Sequence, residues 1–290
     1  MFGDPRRLHP VAGFGRLANA YEACVWRPRR LAGMLYALPL VGATTVAAAR
    51  LEKRAKTGRR FAVRSLVIWA CLGGRSLWRE ATLMAQALET GDLVAARGRA
   101  PNLVGRDPSE LDGAELCRAT LESVAENTSD AIVAPLLWAA LAGAGGCAGY
   151  RAANTLDAIV GHRSARYREF GWAAARLDDL VNWPAARLTA ALTVLAAPLI
   201  GGDTASAWRV FRRDGRAHPS PNAGRVEAAF AGALAVRLGG QNRYHGAVEE
   251  RPTLGMGRPP TSDDITRAVR LSQLVTVATV ALILVSSGRR

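Results

Sequence analysis

Twenty consecutive residues, Ala131 to Tyr150, carry no charged side chain, and three carboxylates, Glu122, Glu126 and Asp130, lead into them. At 1.5 Å of rise per residue a helix of that length matches the roughly 30 Å hydrocarbon layer of a bilayer. The pattern recurs. Leu31–Ala49 is 19 residues without a charge, Leu271–Gly288 is 18, and Leu188–Gly202 adds 15. Mean hydropathy is only +0.04, because 38 Lys and Arg offset the apolar 49%. The average therefore conceals a strong segregation along the chain. The expected fold class is all-α: a multi-pass integral membrane protein with amphipathic and re-entrant helices, residues 1–290 forming a single membrane-embedded domain. Pro135 and Pro198, with many small residues around them, leave open for these two runs a re-entrant or buried course in place of a simple crossing.

The formal net charge of +14 suits anionic lipid, nucleic acid or anionic substrates. The cations are spread over every loop and no nucleic-acid module is recognisable, so lipid headgroups and phosphorylated substrates are the expected partners, and nucleic acid is not. Arg50–Arg60 holds six cations and one acid, the strongest positive-inside signal in the chain. It points to the cell (inner or plasma) membrane, with sidedness left open. The start, MFGDP, lacks the charged and apolar regions of a cleavable signal. Cys24, Cys71, Cys117 and Cys147 are scattered without metal spacing and read as small core residues.

Between the apolar runs the pattern changes. His9, between Leu8 and Pro10, reads as structural. Phe61–Gly74 is apolar but short, and Arg64 interrupts it. Arg75–Arg97 has helical periodicity, with Leu77, Ala81, Met84 and Leu88 on one side, Gly91 as a stop and Asp92 as the next cap. Ser109 with Asp112 resembles a capping box ahead of the acidic helix, and Thr261–Asp264 resembles the cap of the last one. Glu227–Arg237 is a small-residue helix of the kind that packs closely in membranes. Gly239–Gly257 reads as a polar, Gly-rich connection.

Glu122, Glu126 and Asp130 are spaced i, i+4, i+8, which places them on one helical stripe with Ser123 and Asn127 beside it. Carboxylates about 6 Å apart repel by roughly 3 kcal/mol at an effective dielectric of about 20. A positive partner is needed: an arginine, a proton or a divalent metal. Acids beside a membrane span are expensive and usually functional. A second polar knot, Asn154, Thr155 and Asp157, closes the apolar run. A third holds Asp178, Asp179 and Asn182. Adjacent acids do not share a helix face, so one of Asp178 and Asp179 faces a site while the other caps or pairs. Arg106 and Asp107, in a turn ahead of a helix, are placed for an anion or a metal-bound phosphate. An enzyme and a transporter relaying ions through its carboxylates both fit these features.

The strings GDPRRLHPV, RSL, GDLVAAR, VGRD, ESVAENTSD, NTLDAIVGHR, RLDDLVNWPAARL, HPSPNAG and RLGG occur in this order along nearly the whole chain. Together they resemble the CobD/CbiB family of cobalamin biosynthesis, multi-pass membrane proteins with adenosylcobinamide-phosphate synthase activity. The resemblance implies an ATP-dependent amide ligase joining adenosylcobyric acid to (R)-1-amino-2-propanol or its O-phosphate, with Mg2+ accompanying ATP. A homo-oligomer or a partner subunit is compatible with it. No GxxxxGK[ST] string is present, so ATP binding would not use that loop. On this reading Glu122, Glu126, Asp130 and Asp157 are the expected magnesium ligands. Glu122, Glu126, Asp178 and Asp179 are the expected catalytic acids, with Asp178 or Asp179 taking a proton from the attacking ammonium. Arg106, Asp107, Asn127, Asn154, Thr155, Asn182, Ser220 and Asn222 are the expected substrate contacts.

Overall fold

A computed structural model describes residues 9–104, 108–109, 111–162, 164–244 and 247–288, with backbone alone for 242–244 and 247–249. Each of the four uncharged runs lies on a helix long and apolar enough to cross a membrane: Arg30–Arg54, the stretch Gly113–Val160, Trp172–Ile200 and Ser262–Ser287. The protein is a multi-pass helical membrane protein. Extraction should therefore require detergent; recovery as a monodisperse species after lysis without detergent would overturn the assignment.

The chain forms two compact units, each assembled from separated stretches: residues up to Leu72 with Asp130–Ala185, and Gly73–Ser129 with Ala186 onward. In the first, α1 (Pro10–Val25), α2 (Arg30–Arg54) and α3 (Thr57–Cys71) surround part of the chain beyond Asp130. His9 is structural, since its Nδ1 caps α1 by accepting from Val11 N at 3.3 Å. Tyr36 and Phe170, both fully buried, pack at 5.1 Å between ring centres. Glu22 lies beside them and is held by Arg166 at 2.9 Å and by the Tyr167 hydroxyl at 3.1 Å.

The central apolar run is not one regular helix. A π-helical turn, Ser129–Val133, precedes α7 (Ala134–Val160). Pro135 lacks the N–H that would bond the carbonyl of Ala131, and a wider turn accommodates that loss. Within α7 the backbone leaves helical geometry at Ala142 and at Gly143 (φ 63°, ψ −154°), splitting it into two half-helices. The N-terminus of the second is capped from α2: Ala144 N donates to Glu52 Oε2 at 2.8 Å, and Glu52 pairs with Arg64 of α3 at 2.5 Å. Glu52, the one acid of the basic segment, thus turns inward, and Arg64 is its counter-charge. Beyond the break α7 lies against α2 at backbone distance. A Cβ on Gly145 would meet Ala49 Cβ at 2.9 Å, and one on Gly149 would meet Thr45 Oγ1 at 2.2 Å. Small residues four apart on both helices permit that approach.

The second unit holds α4 (Gly74–Glu89), α5 (Leu93–Arg99), α6 (Gly113–Thr128), α9 (Thr204–Asp214), α10 (Ala223–Leu234) and α11 (Ser262–Ser287). The first unit ends, and the second resumes, within α8 (Trp172–Ala196). As the pattern predicts, α4 buries Leu77, Ala81 and Met84, Gly91 takes φ 73° after it, and Asp92 caps α5 through Ala95 N. Ser272 on α11 joins three helices, with its Oγ 2.8 Å from Trp78 Nε1 and 2.7 Å from Thr128 Oγ1. The last helix has the expected box, Thr261 with Asp264. The acidic helix differs from expectation: its box is Asp112 with Glu115, because the helix starts at Gly113 and the N3 side chain must reach back to the N-cap amide. The segment read as a connection also differs: β1 (Leu238–Tyr244) pairs antiparallel with β2 (Ala247–Leu254), and Gly239, Gly240 and, just after β2, Gly255 have positive φ.

Asp214 ties this strand pair to α9, accepting from Gly255 N at 2.8 Å and pairing with Arg213 at 2.5 Å. Arg213 first, opposed by burial and aided by the Gly255 amide, holds the Asp214 carboxyl below its ordinary range. A depressed folded-state pKa adds stability above the unfolded value of about 3.9, lost as pH falls through the folded value. Asp214→Asn should lower the melting temperature at neutral pH and converge on the parent in acid. Parallel curves down to the acid limit would exclude this contribution.

Candidate functional site

In the first unit, three helical segments bring carboxylates and amides together. Asp130 lies in the π-turn, Asn154 in the second half of α7, and Asp178 with Asn182 one turn apart on α8. Asn182 Nδ2 donates to Asp130 Oδ1 at 2.6 Å. Asn154 Nδ2 bridges, 3.4 Å from Asp130 Oδ2 and 3.3 Å from Asp178 Oδ1. Tyr150, one turn before Asn154, donates its hydroxyl to the Asp130 carbonyl at 3.2 Å. The amides thus fix the orientation of both carboxylates.

Asp178 is 8% exposed and Asn182 2%. The charges of Asp130 and Asp157, and then of Asp179, act on Asp178. Among the described residues its hydrogen-bond partner is Asn154, and no Lys or Arg pairs with it. Buried acids facing other acids require a compensating positive charge. The structure separates the adjacent pair: Asp179 is turned toward Arg176, 3.5 Å away, while Asp178 faces inward.

The other acids of the stripe belong to the second unit. Glu122 is buried on α6, accepts from Gly239 N at 2.8 Å and lies 3.7 Å from Arg118. Arg118 in turn donates to the carbonyls of Gly239 and, at 2.7 Å, Gln241. Arg118, which the sequence reading passed over, is thus the positive partner of Glu122, and together they grip both polar groups of Gly239. Glu126, one turn on, is exposed, and Asn127 bonds back to Ser123 O at 3.0 Å. Asp130 lies beyond the α-helix in the π-turn, so the i, i+4 stripe within α6 holds Glu122 and Glu126 alone. Glu122→Gln should cost about 1–3 kcal/mol of stability, since it weakens a buried acceptor and removes the negative charge facing Arg118. An unchanged melting temperature would show that this grip is unimportant.

Ser220 and Asn222 lie in a hydrogen-bonded loop ahead of α10. Ser220 Oγ accepts from Asn222 N and Ala223 N at 3.3 and 3.1 Å. His218 Nδ1 accepts from Ser220 N at 3.0 Å, and its Nε2 lies 3.4 Å from Arg251. Arg187 Nη1 donates to Asn222 Oδ1 at 2.5 Å. Arg225 is close enough to Arg187 and Arg216 for their charges to repel. His218 and Arg251 were not singled out by sequence reasoning. The HPSPN string was the available signal, but the arginines that meet it come from elsewhere in the chain. Thr155 bonds to Arg151 O, and Arg106 and Asp107 lie outside the described residues.

No three of the described His, Cys, Asp or Glu residues converge as a ready-made metal cage. Magnesium does not require one: it binds through one or two carboxylates and completes its shell with water and phosphate oxygens. The donor set of the first unit fits that requirement, with Asp130 oriented by two amides and Asp157 among the acids around Asp178.

Fold and site define a class, a multi-pass helical membrane protein that keeps a carboxylate–amide cluster on its spanning segments. The sequence model described as "CobD/Cbib protein" matches residues 1–272. The chain is 51% identical to the "Cobalamin biosynthesis protein CobD" of Mycobacterium tuberculosis over 290 residues, covering 100% of this chain and 93% of that one. It is 46% identical to the protein so named from Chromobacterium violaceum, over 93% and 88% of the two chains. The corresponding protein of Rhodobacter capsulatus is 45% identical over 91% and 84%. No solved structure matches. This chain belongs to the CobD/CbiB family.

Proposed function

We propose that this protein is an enzyme of cobalamin biosynthesis in the cell membrane, an ATP-dependent ligase that joins adenosylcobyric acid to (R)-1-amino-2-propanol or its O-phosphate. Family membership supports the pathway. The observation that supports the chemistry is the buried Asp178, surrounded by acids and lacking a cationic partner among the described residues. A primary ammonium is a cation that such a group attracts and then deprotonates.

Amide formation needs the carboxylate oxygen of the corrinoid turned into a leaving group. Transfer of the terminal phosphoryl group of ATP to that oxygen releases ADP and gives a mixed anhydride. The amine nitrogen, having passed one proton to Asp178, forms a bond to the acyl carbon, and inorganic phosphate departs with the original oxygen and the second nitrogen-bound proton. Asp130 and Asp157 would hold magnesium, which neutralises phosphate charge when bound. Asn154 and Asn182 fix the acids in place. Within the second unit, Arg187, Arg225 and Arg251 around the Ser220–Asn222 loop are cations suited to phosphate oxygens.

The test is a coupling assay with detergent-purified protein, adenosylcobyric acid, ATP, and aminopropanol with and without phosphate. The expected result is ATP consumption that depends on both corrinoid and amine, with the amide identified by mass. ATP consumption indifferent to the corrinoid, or none, would overturn the proposal.

A further inference from the structure

A cavity of about 250 Å³ opens in the first unit among α1, α2, α3 and α7. Its walls are almost wholly apolar, with Val11, Phe14, Leu66, Val67 and Ala148 among them, and Arg151 is its one charged residue. The hydroxyls on its walls are already committed: Thr44 donates to Leu40 O and Thr155 to Arg151 O. Arg151 is not. Its Nε is buried without a hydrogen-bond partner, and among the described residues its guanidinium reaches only Asn154 Oδ1, at a long 3.5 Å.

A guanidinium on a spanning helix is costly unless an anion meets it. Among the described residues no carboxylate lines this cavity, so its anion is sought in a ligand. The walls require the rest of the ligand to be hydrocarbon. The volume is below the roughly 300–1,000 Å³ that drug-sized ligands occupy, which excludes a corrinoid and suits a segment of acyl chain. We propose that this cavity holds an acyl chain of an anionic phospholipid from the surrounding bilayer, with the lipid phosphate on Arg151. The proposal does not depend on the ligase chemistry, although Arg151 adjoins Asn154 of the carboxylate–amide cluster. The site anchors α1 and α3 against α7 beside Asn154, so the bound lipid supports the helix that carries the amide bridge.

The experiment uses the full chain in nanodiscs of mixed dioleoyl-phosphatidylcholine and dioleoyl-phosphatidylglycerol, followed by release into detergent and quantification of the retained lipid. Basic loops also gather anionic lipid, but that attraction is screened at about 0.5 M salt, where the Debye length is roughly 4 Å. At that salt the parent should retain phosphatidylglycerol enriched about tenfold over the bulk ratio, equivalent to about 1.4 kcal/mol. Arg151→Gln should abolish the enrichment while the other cations remain. Val67→Trp, which fills the cavity and keeps Arg151, should abolish it as well, so the result does not depend on one variant folding. Phosphatidylglycerol, and neither phosphatidylcholine nor inorganic phosphate, should raise the melting temperature of the delipidated parent. Equal retention of the two lipids, enrichment unchanged in both variants, or stabilisation by inorganic phosphate alone would each overturn the proposal.

Discussion

Asp178→Asn is expected to leave a folded protein whose coupling rate is lower by a factor of about 100 or more, a loss of roughly 2.7 kcal/mol of transition-state stabilisation. Asparagine matches aspartate in shape and keeps an oxygen toward Asn154 Nδ2, now 3.3 Å from the carboxylate. It cannot take a proton from an ammonium or attract one by charge. Stability should hold or rise, because the substitution removes one negative charge from a group facing Asp130 and Asp157. A structural role predicts the reverse, with activity following stability. Asp179→Asn provides the contrast. It breaks a 3.5 Å pair in which Arg176 is 64% exposed, an interaction of about 0–1 kcal/mol, and its effect on rate should be much the smaller of the two. Near-parental turnover in Asp178→Asn would remove Asp178 from the chemistry.

Gly143→Ala should be strongly destabilising. The backbone at φ 63°, ψ −154° lies in a region essentially restricted to glycine, and an alanine there costs of order 1–3 kcal/mol before any contact is counted. The added Cβ would stand 2.6 Å from Glu52 Oε2 and 3.3 Å from Arg64 Nη2. It therefore displaces the carboxylate that caps the second half-helix and disrupts an ion pair on a spanning segment. Loss of about 3 kcal/mol or more is expected, read as a large drop in melting temperature in detergent or as failure to accumulate. Gly42→Ala is the control: nothing lies within 4 Å of a Cβ there, and alanine is the better helix former by up to about 1 kcal/mol. Equal behaviour of the two variants would mean that the break in α7 is not required.

The apolar runs determined what the chain by itself determines: helices and a membrane setting, while the number of spans stayed open. Length and absence of charge are properties of consecutive residues, and each run became a helix because hydrocarbon leaves backbone groups no other partner. Local caps were legible for the same reason at Asp92 and Thr261, where donor and acceptor lie three residues apart. The carboxylates were legible as unusual, and the separation of Asp178 from Asp179 followed from helix geometry. Their assembly was not legible. Asp130, Asn154 and Asp178 lie 24 residues apart in turn, and only the packing of α7 and α8 with the π-turn brings their side chains within hydrogen-bond reach. Spacing alone counted Asp130 with Glu122; the turn before Pro135 and the grip of Arg118 on β1 gave the two acids different surroundings. Glu52 and Arg64 looked like a loop acid and an interruption. Tertiary structure made them the cap of a broken helix, because a charge on a membrane segment is tolerated only where folding supplies its partner.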